Sequence, residues 1–85
     1  MVKAIYLYIN DEMNDEILKE LHERASNDMF QFYEKENEDF LNQDMFKDAK
    51  VKKFDDGIKI VYSYGYVCTA DPLGIHTHVF VIKEE

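Results

Sequence analysis

The first segment of the chain alternates between two kinds of side chain in the manner of a β-strand. Residues Val2 to Ile9 are mostly β-branched or aromatic, and Asn10 and Asp11 follow them as turn formers. This combination predicts a strand over residues 2–9. Its two faces are Ala4, Tyr6 and Tyr8 on one side and Ile5, Leu7 and Ile9 on the other.

A helical period replaces this alternation in the next segment. Its apolar stripe, with residues three or four positions apart, consists of Met13, Ile17, Leu18, Leu21 and Ala25. Such a stripe predicts an amphipathic helix, which either Asn10 or Asn14 can cap at its N-terminus. The polar run of Ser26, Asn27 and Asp28 predicts the end of this helix and the N-cap of another.

The segment 29–48 fits two structures. Phe30 and Phe32 alternate as in a strand, whereas Phe40, Leu41 and Met45 continue at helical spacing. We predict a helix here because the helical spacing extends over the longer stretch.

Strand-forming residues dominate from position 49 onward. The three strands that we predict there are Val51–Phe54, Ile58–Cys68 and Ile75–Lys83. Asp55, Asp56 and Gly57 form the turn between the first two, since Asp-Gly favours the positive φ angles of a type I′ hairpin. The run Asp-Pro-Leu-Gly at 71–74 is the second turn.

These elements predict an α+β fold in a single domain over residues 1–85. We expect an antiparallel sheet of about four strands, in which the N-terminal strand joins a C-terminal three-stranded meander. The acidic helices should pack on one face of this sheet and meet the face formed by Ile5, Leu7 and Ile9.

The net charge of the chain is concentrated in the helical segment. Between Asp11 and Asp48 there are 13 acidic and four basic residues, a net charge of −9, and the rest of the chain carries +1. Such a surface repels nucleic acid and anionic lipid, and it attracts a basic protein surface. The acids that we expect to contact such a partner are Glu16, Glu20, Glu23, Glu34, Glu38 and Asp39.

Both faces of the predicted sheet are rich in apolar residues. One face of the long strand carries Tyr62, Tyr64 and Tyr66, and one face of the last strand carries His76, His78, Phe80 and Ile82. A sheet covered by helices on one side normally has polar residues on the other. Either some tyrosines belong to the core, or another chain covers the second face. Tyr62 and Tyr64 are the expected centre of that interface, with a homodimer or a different partner as its occupant.

No residue pattern typical of an enzyme stands out in the sequence. His76 and His78 have a spacing that can chelate a metal ion, with Asp71 or His22 as a further ligand. Cys68 resembles a catalytic thiol only in the histidines near it. We therefore predict no enzymatic activity and no cofactor, and the alternative is a small ligand-binding or metal-binding site on the His76/His78 strand.

The sequence gives little support for direct binding to nucleic acid or a membrane. Its small basic cluster consists of Lys50, Lys52, Lys53 and Lys59, which is weak beside a segment of charge −9. No apolar stretch approaches the roughly 20 residues that span a bilayer, and the N-terminus lacks the pattern of a signal peptide. Since there is one cysteine, a reducing compartment is favoured, and we expect a cytoplasmic protein.

A small acidic protein-interaction module agrees with these features better than an enzyme does. Rows of carboxylates can imitate a phosphate backbone and occupy the basic groove of a nucleic-acid-binding protein. The sequence therefore predicts an inhibitor or regulator of such a protein, a mimic of nucleic acid like those carried by phages and other mobile elements.

Overall fold

The computed structural model describes residues 2–43, 46, 48–66 and 75–84. The strands are β1 (Val2–Ile9), β2 (Tyr33–Lys35), β3 (Lys50–Lys53), β4 (Ile58–Tyr66) and β5 (Ile75–Glu84). They form one antiparallel sheet in the order β2-β1-β5-β4-β3. Within these residues there is one α-helix, α1 (Asp15–Ser26), and a 3-10 helix at Asp39–Asn42. The predicted α+β class is confirmed, but the sheet has five strands and the predicted second α-helix is wrong.

The central strand of the sheet is β5. It pairs with β1 at eight positions and with β4 at nine. The predicted C-terminal meander is therefore present as β3-β4-β5, and the N-terminal strand joins it as expected. Its position beside β5 was not predicted.

The helix α1 begins where the sequence indicates. Asn14 is its N-cap, and its side-chain oxygen accepts a hydrogen bond from the Ile17 backbone N–H at 2.9 Å, which satisfies one donor of the first turn. The buried residues of α1 are Leu18, Leu21 and Ala25. The helix ends at Ser26 with Asn27 as its C-cap, and the next residue, Asp28, has a positive φ of 52°, so this polar run ends one helix without starting another.

The prediction of a helix over 29–48 is wrong, and pairing with β1 explains why. Tyr33 lies opposite Ala4 and Lys35 lies opposite Val2, so the chain continues the sheet as β2. Phe30 and Phe32 pack beside the helix, whereas Phe40 packs on the other side of the sheet. A single helix has one apolar stripe, and it could not supply rings to two opposite faces.

Two hydrophobic clusters lie on opposite faces of the sheet. The cluster under α1 consists of Met13, Leu18, Leu21, Ala25, Ile58, Ile60, Val79 and Val81. The cluster on the other face consists of Ala4, Phe46, Val61, Phe80 and Ile82, with Phe40, Leu41 and Ala49 packed against it. The face formed by Ile5, Leu7 and Ile9 does meet the helix, as predicted. Part of the second face is therefore covered by residues of this chain, and a partner is not needed to cover all of it.

The hairpin between β3 and β4 has the predicted glycine but a different turn. Gly57 has a φ of +84°, and Phe54 N–H donates to the Ile58 carbonyl at 2.9 Å. A type I′ turn needs a positive φ at Asp56 as well, and among the described non-glycine residues only Asp28 has one. The loop is therefore a three-residue connection that ends in a left-handed glycine.

No helix in the described residues is long and apolar enough to cross a membrane.

Candidate interaction surfaces

Three acids form a row on the solvent side of α1, which we call the acidic row: Glu16, Glu20 and Glu23. All three are exposed, because Leu18, Leu21 and Ala25 turn the opposite side of the helix towards the sheet. Their spacing of four and three residues puts neighbouring Cβ atoms about 5–6 Å apart. None of them takes part in an ion pair between described residues, so the row presents its charge to solvent.

The other three predicted contact acids lie outside α1. Glu38 binds the Lys59 ammonium through both carboxylate oxygens, at 2.8 and 2.9 Å, so its charge is already neutralised within the protein. Glu34 lies exposed on the edge strand β2, and Asp39 lies exposed at the start of the 3-10 helix. The six predicted acids therefore lie on different elements, and one of them, Glu38, is already paired with a lysine.

Tyr62 and Tyr64 lie on the helix side of the sheet. Tyr62 packs against the cluster under α1, and the Tyr64 hydroxyl accepts a hydrogen bond from the Met13 backbone N–H at 3.1 Å. Burial raises the pKa of Tyr64, and the charge of Glu12 adds to this effect. The expectation that Tyr62 and Tyr64 lie on the face away from the helices is wrong, and Tyr64, although 41% exposed, supports the entry into α1 through its bond to Met13.

The rings of β1 and β5 gather on the opposite face. Tyr8 stacks on His76 with ring centroids 4.7 Å apart, and the Tyr6 hydroxyl lies 2.6 Å from Nδ1 of His78. Both histidines are buried, whereas Tyr6 and Tyr8 are 43% and 47% exposed. We call these four side chains the ring cluster: Tyr6 and Tyr8 lie on its solvent side, and His76 and His78 lie on its buried side.

Burial shapes the protonation of this ring cluster. It lowers the pKa of His78, and the nearby His76 lowers it further. It also raises the pKa of Tyr6, with a smaller contribution from Tyr8. The neutral phenol and the neutral imidazole are both favoured, so we assign the Tyr6 hydroxyl as donor to Nδ1 of His78.

A groove of about 400 Å³ opens next to this ring cluster. Its lining is Ala4, Ile5, Tyr6, Tyr33, Lys35, Phe40, Gln43 and Phe80. Most of this lining is aromatic or aliphatic, and the Lys35 ammonium lies 6.0 Å from the centre of the Phe40 ring. Its size and lining resemble those of small-molecule sites in general.

The described part of the alternative metal site is engaged in other contacts. His76 Nδ1 bonds the Asn10 side-chain oxygen at 2.8 Å, and His78 Nδ1 bonds Tyr6. The described residues contain no group of three His, Cys, Asp or Glu side chains that could hold a metal ion. Asp71 and Cys68 lie outside the described residues. The other suggested ligand, His22, lies on the helix side of the sheet.

A contact between α1 and the β3–β4 hairpin was not predicted. His22 Nε2 lies 2.8 Å from an Asp56 carboxylate oxygen, and Ser26 Oγ donates to the same oxygen at 3.2 Å. Burial alone would raise the pKa of Asp56, but the bonds from His22, Ile58 and Ser26 together lower it. A catalytic triad needs the carboxylate and the hydroxyl on different ring nitrogens, and here both lie near Nε2. The cluster therefore fastens the helix to the hairpin.

No protein-family model, no curated protein and no solved structure matches the chain significantly. A functional proposal therefore rests on the surfaces described above.

Proposed function

We propose that this protein is a non-enzymatic interaction module that binds a basic protein surface through the acidic row. The partner in this proposal is a nucleic-acid-binding protein, which the module inhibits or regulates by occupying the surface that its nucleic acid would use. The observation that carries the proposal is the exposed row of Glu16, Glu20 and Glu23 on a helix fixed to the sheet.

The rigidity of the row supports this proposal more than its charge alone does. The core under α1 and the N-cap at Asn14 fix the first half of the helix, and the bonds of His22 and Ser26 to Asp56 fix its second half. Charges on a fixed helix bind a complementary surface with little loss of backbone freedom.

The experiment compares two variants of equal net charge. One carries Glu16→Lys, Glu20→Lys and Glu23→Lys, and its matched control carries Asp48→Lys, Asp55→Lys and Glu84→Lys, which are exposed acids scattered outside the row. Immobilised wild-type protein should retain a nucleic-acid-binding protein from the host, which a gradient from about 50 to 200 mM salt should release because exposed charges are screened over this range. Added DNA or RNA should compete for this partner.

The expected result is that the row variant loses retention and that the control keeps most of it. Both variants should unfold with nearly the wild-type free energy, since exposed acids contribute little to stability. The proposal would be contradicted if retention did not depend on salt or on competing nucleic acid, or if it fell equally in both variants. The row would then be only a solubilising surface.

A second candidate function is small-ligand binding, and the groove beside Tyr6 favours it. An apolar compound with an anionic group would place its rings against Phe40 and Phe80 and its charge near Lys35. Calorimetry with a panel of aromatic carboxylates, repeated with Phe40→Ala, tests this alternative. Titration with Zn²⁺, Mn²⁺ and Ni²⁺ tests the metal site on His76 and His78.

A further inference from the structure

The outer edge of β1 is only partly paired. On its inner side β1 pairs with β5 from Val2 to Ile9, but on its outer side it pairs with β2 only from Val2 to Ala4. Among the described residues no strand pairs with the outer side of residues 5–9. An open strand edge is a template for pairing with another chain.

The ladder identifies which backbone groups face this open edge. Glu84 N–H donates to the Gly57 carbonyl, so the even-numbered residues of β5 point their backbone groups towards β4. The odd-numbered residues of β5 then point towards β1, where Val79 lies opposite Leu7. Where two residues of antiparallel strands form a hydrogen-bonded pair, each points its backbone N–H and C=O groups at the other. Leu7 therefore bonds to β5, and the N–H and C=O groups of Tyr6 and Tyr8 point outward.

The two edges of the sheet are chemically different. At the other edge, three of the four residues of β3 are lysine, a common device against edge-to-edge association. In contrast, no residue from Ala4 to Ile9 is charged. The open part of β1 instead carries the half-exposed rings of Tyr6 and Tyr8. The β3 edge thus carries charges that oppose pairing, whereas residues 4–9 of β1 carry none.

We propose that β1 pairs with β1 of a second copy of this chain, antiparallel and about a two-fold axis at Leu7. In this register Tyr6 of each copy lies opposite Tyr8 of the other, and Ile5 lies opposite Ile9. Each tyrosine then donates and accepts one backbone hydrogen bond across the axis, so every outward group of Tyr6 and Tyr8 is paired. The same patch meets itself, as a two-fold interface requires.

Side chains agree with this register on both faces. On the face of the ring cluster, Tyr6 and the opposing Tyr8 form a cross-strand aromatic pair, which is a stabilising combination. Tyr33 lies opposite Ala4, so it would be the next ring in line, about 7 Å from Tyr8 of the second copy. On the helix side, Leu7 meets Leu7 at the axis.

The size of this contact predicts a weak dimer. With about 200 Å² for a fully exposed tyrosine, the exposed fractions of Tyr6, Tyr8 and Tyr33, which are 43%, 47% and 61%, correspond to roughly 300 Å² per copy. Specific interfaces begin near a total of about 1,200 Å², so the strand backbone and the aliphatic face must supply the rest. The net charge of −8 on each copy opposes association at long range.

Sedimentation equilibrium of the wild-type protein between about 5 µM and 1 mM is the first test. We expect a reversible monomer–dimer equilibrium whose dimer fraction rises from 50 to 300 mM NaCl, because salt screens the repulsion between the two copies. Binding through the acidic row to a basic partner has the opposite salt dependence, so the two proposals fail independently. A strict monomer at the highest concentration in both salts would overturn the dimer.

A proline on the edge tests the hydrogen bonds. Tyr8→Pro removes an N–H that points outward and leaves the bonds between β1 and β5 intact. Its matched control, Tyr8→Val, also loses the ring but keeps the N–H. With cooperative unfolding verified for both, the proline variant should dimerise at least tenfold more weakly than the valine variant. Equal dimer affinities would rule out pairing through this edge.

Cysteine cross-linking tests the register. In a Cys68→Ser background, Leu7→Cys should give a disulfide-linked dimer on mild oxidation, since facing Cβ atoms lie about 4.5–5.5 Å apart. Ile9→Cys is the control on the same face, because Ile9 of the second copy lies opposite Ile5 in this register and is therefore about 14 Å along the strand from Ile9 of the first copy. Cross-linking of Ile9→Cys as readily as Leu7→Cys, or none with folded Leu7→Cys, would contradict this register.

Discussion

The Tyr6 hydroxyl reaches diagonally across the β1–β5 ladder to His78. The direct neighbour of Tyr6 on β5 is Phe80, and the direct neighbour of His78 on β1 is Tyr8, yet the hydroxyl lies 2.6 Å from Nδ1 of His78. This bond lets a half-exposed ring satisfy a polar atom of a buried one. It also links the stability of the sheet to the protonation of a histidine.

We expect the free energy of unfolding to fall as the pH decreases below about 6.5, the usual pKa of an unfolded histidine. Burial lowers the pKa of His78 in the folded state, so the unfolded chain binds more protons between the two pKa values. This contribution to stability is complete above the unfolded pKa and is lost as the pH falls through the folded one. Urea unfolding between pH 5 and 8 measures it.

Replacing the hydroxyl donor tests the same bond at constant pH. Tyr6→Phe leaves the buried Nδ1 of His78 without this partner, and we expect a loss of about 1–2 kcal/mol at pH 7.5. The pH dependence should also become shallower, because the neutral imidazole loses the bond that favours it. Tyr8→Phe is the control, since the Tyr8 hydroxyl makes no hydrogen bond with the residues that the structure describes, and its ring only stacks on His76. Equal losses in both variants would contradict the assigned role.

Gly57 should not tolerate a β-branched residue. Its φ is +84°, and a Cβ added there would lie 3.3 Å from the Glu84 carbonyl oxygen. We therefore expect Gly57→Val to cost more than about 1 kcal/mol, and Gly57→Asn to cost less because asparagine adopts positive φ more readily. Thermal unfolding of the two variants checks this order. A melting temperature unchanged by valine would show that the backbone conformation at Gly57 does not require glycine.

The cap at Asn14 is a local contribution that can be measured alone. Asn14→Ala removes the side-chain acceptor of the Ile17 N–H, and the expected loss is about 1 kcal/mol. Asn14→Ser keeps an acceptor and should retain most of the stability. Urea unfolding distinguishes the two, and an alanine variant as stable as wild type would show that solvent replaces the cap.

Substitution of Phe46 tests how much the hydrophobic cluster on the face opposite α1 contributes to stability. It is buried, and its ring centre lies 4.9 Å from that of Phe80. Phe46→Ala should lose about 3–5 kcal/mol, as for other buried phenylalanines. Val51→Ala is the control, since Val51 is exposed on an edge strand, and its change should stay within about 1 kcal/mol. A small loss for Phe46→Ala would mean that the packing of Phe46 on Phe80 contributes little to the free energy of unfolding.

Features that depend on neighbouring residues could be predicted from the sequence. The period of two in residues 2–9 and the period near four in the helix each identify a structure from adjacent positions, and Asn14 and Gly57 act within a single turn. Each of these predictions concerns a local rule. They give α1 and the strands β1, β3, β4 and β5, with bounds that differ by one or two residues, but they do not give β2.

Features that depend on distant partners could not be predicted in this way. The three exposed residues of β2 form a strand because β1 offers an edge some 30 positions earlier in the chain. Alternation assigns Tyr62 and Tyr64 to one face of β4, but it does not relate that face to the faces of β1. Likewise, nothing near Glu38 in the sequence indicates that Lys59 neutralises it.

The central position of β5 has a consequence for how the protein is made. β1 and β4 do not pair with each other, and both pair with β5, which follows them in the chain. A ribosome adds about 5–20 residues per second, so for roughly one to four seconds between the end of β4 and the end of β5 the nascent chain holds β1 and the β3–β4 hairpin as separate pieces with exposed apolar sides. The open edge of β1 is available during that interval too, when neighbouring ribosomes on one message hold further copies of it close by.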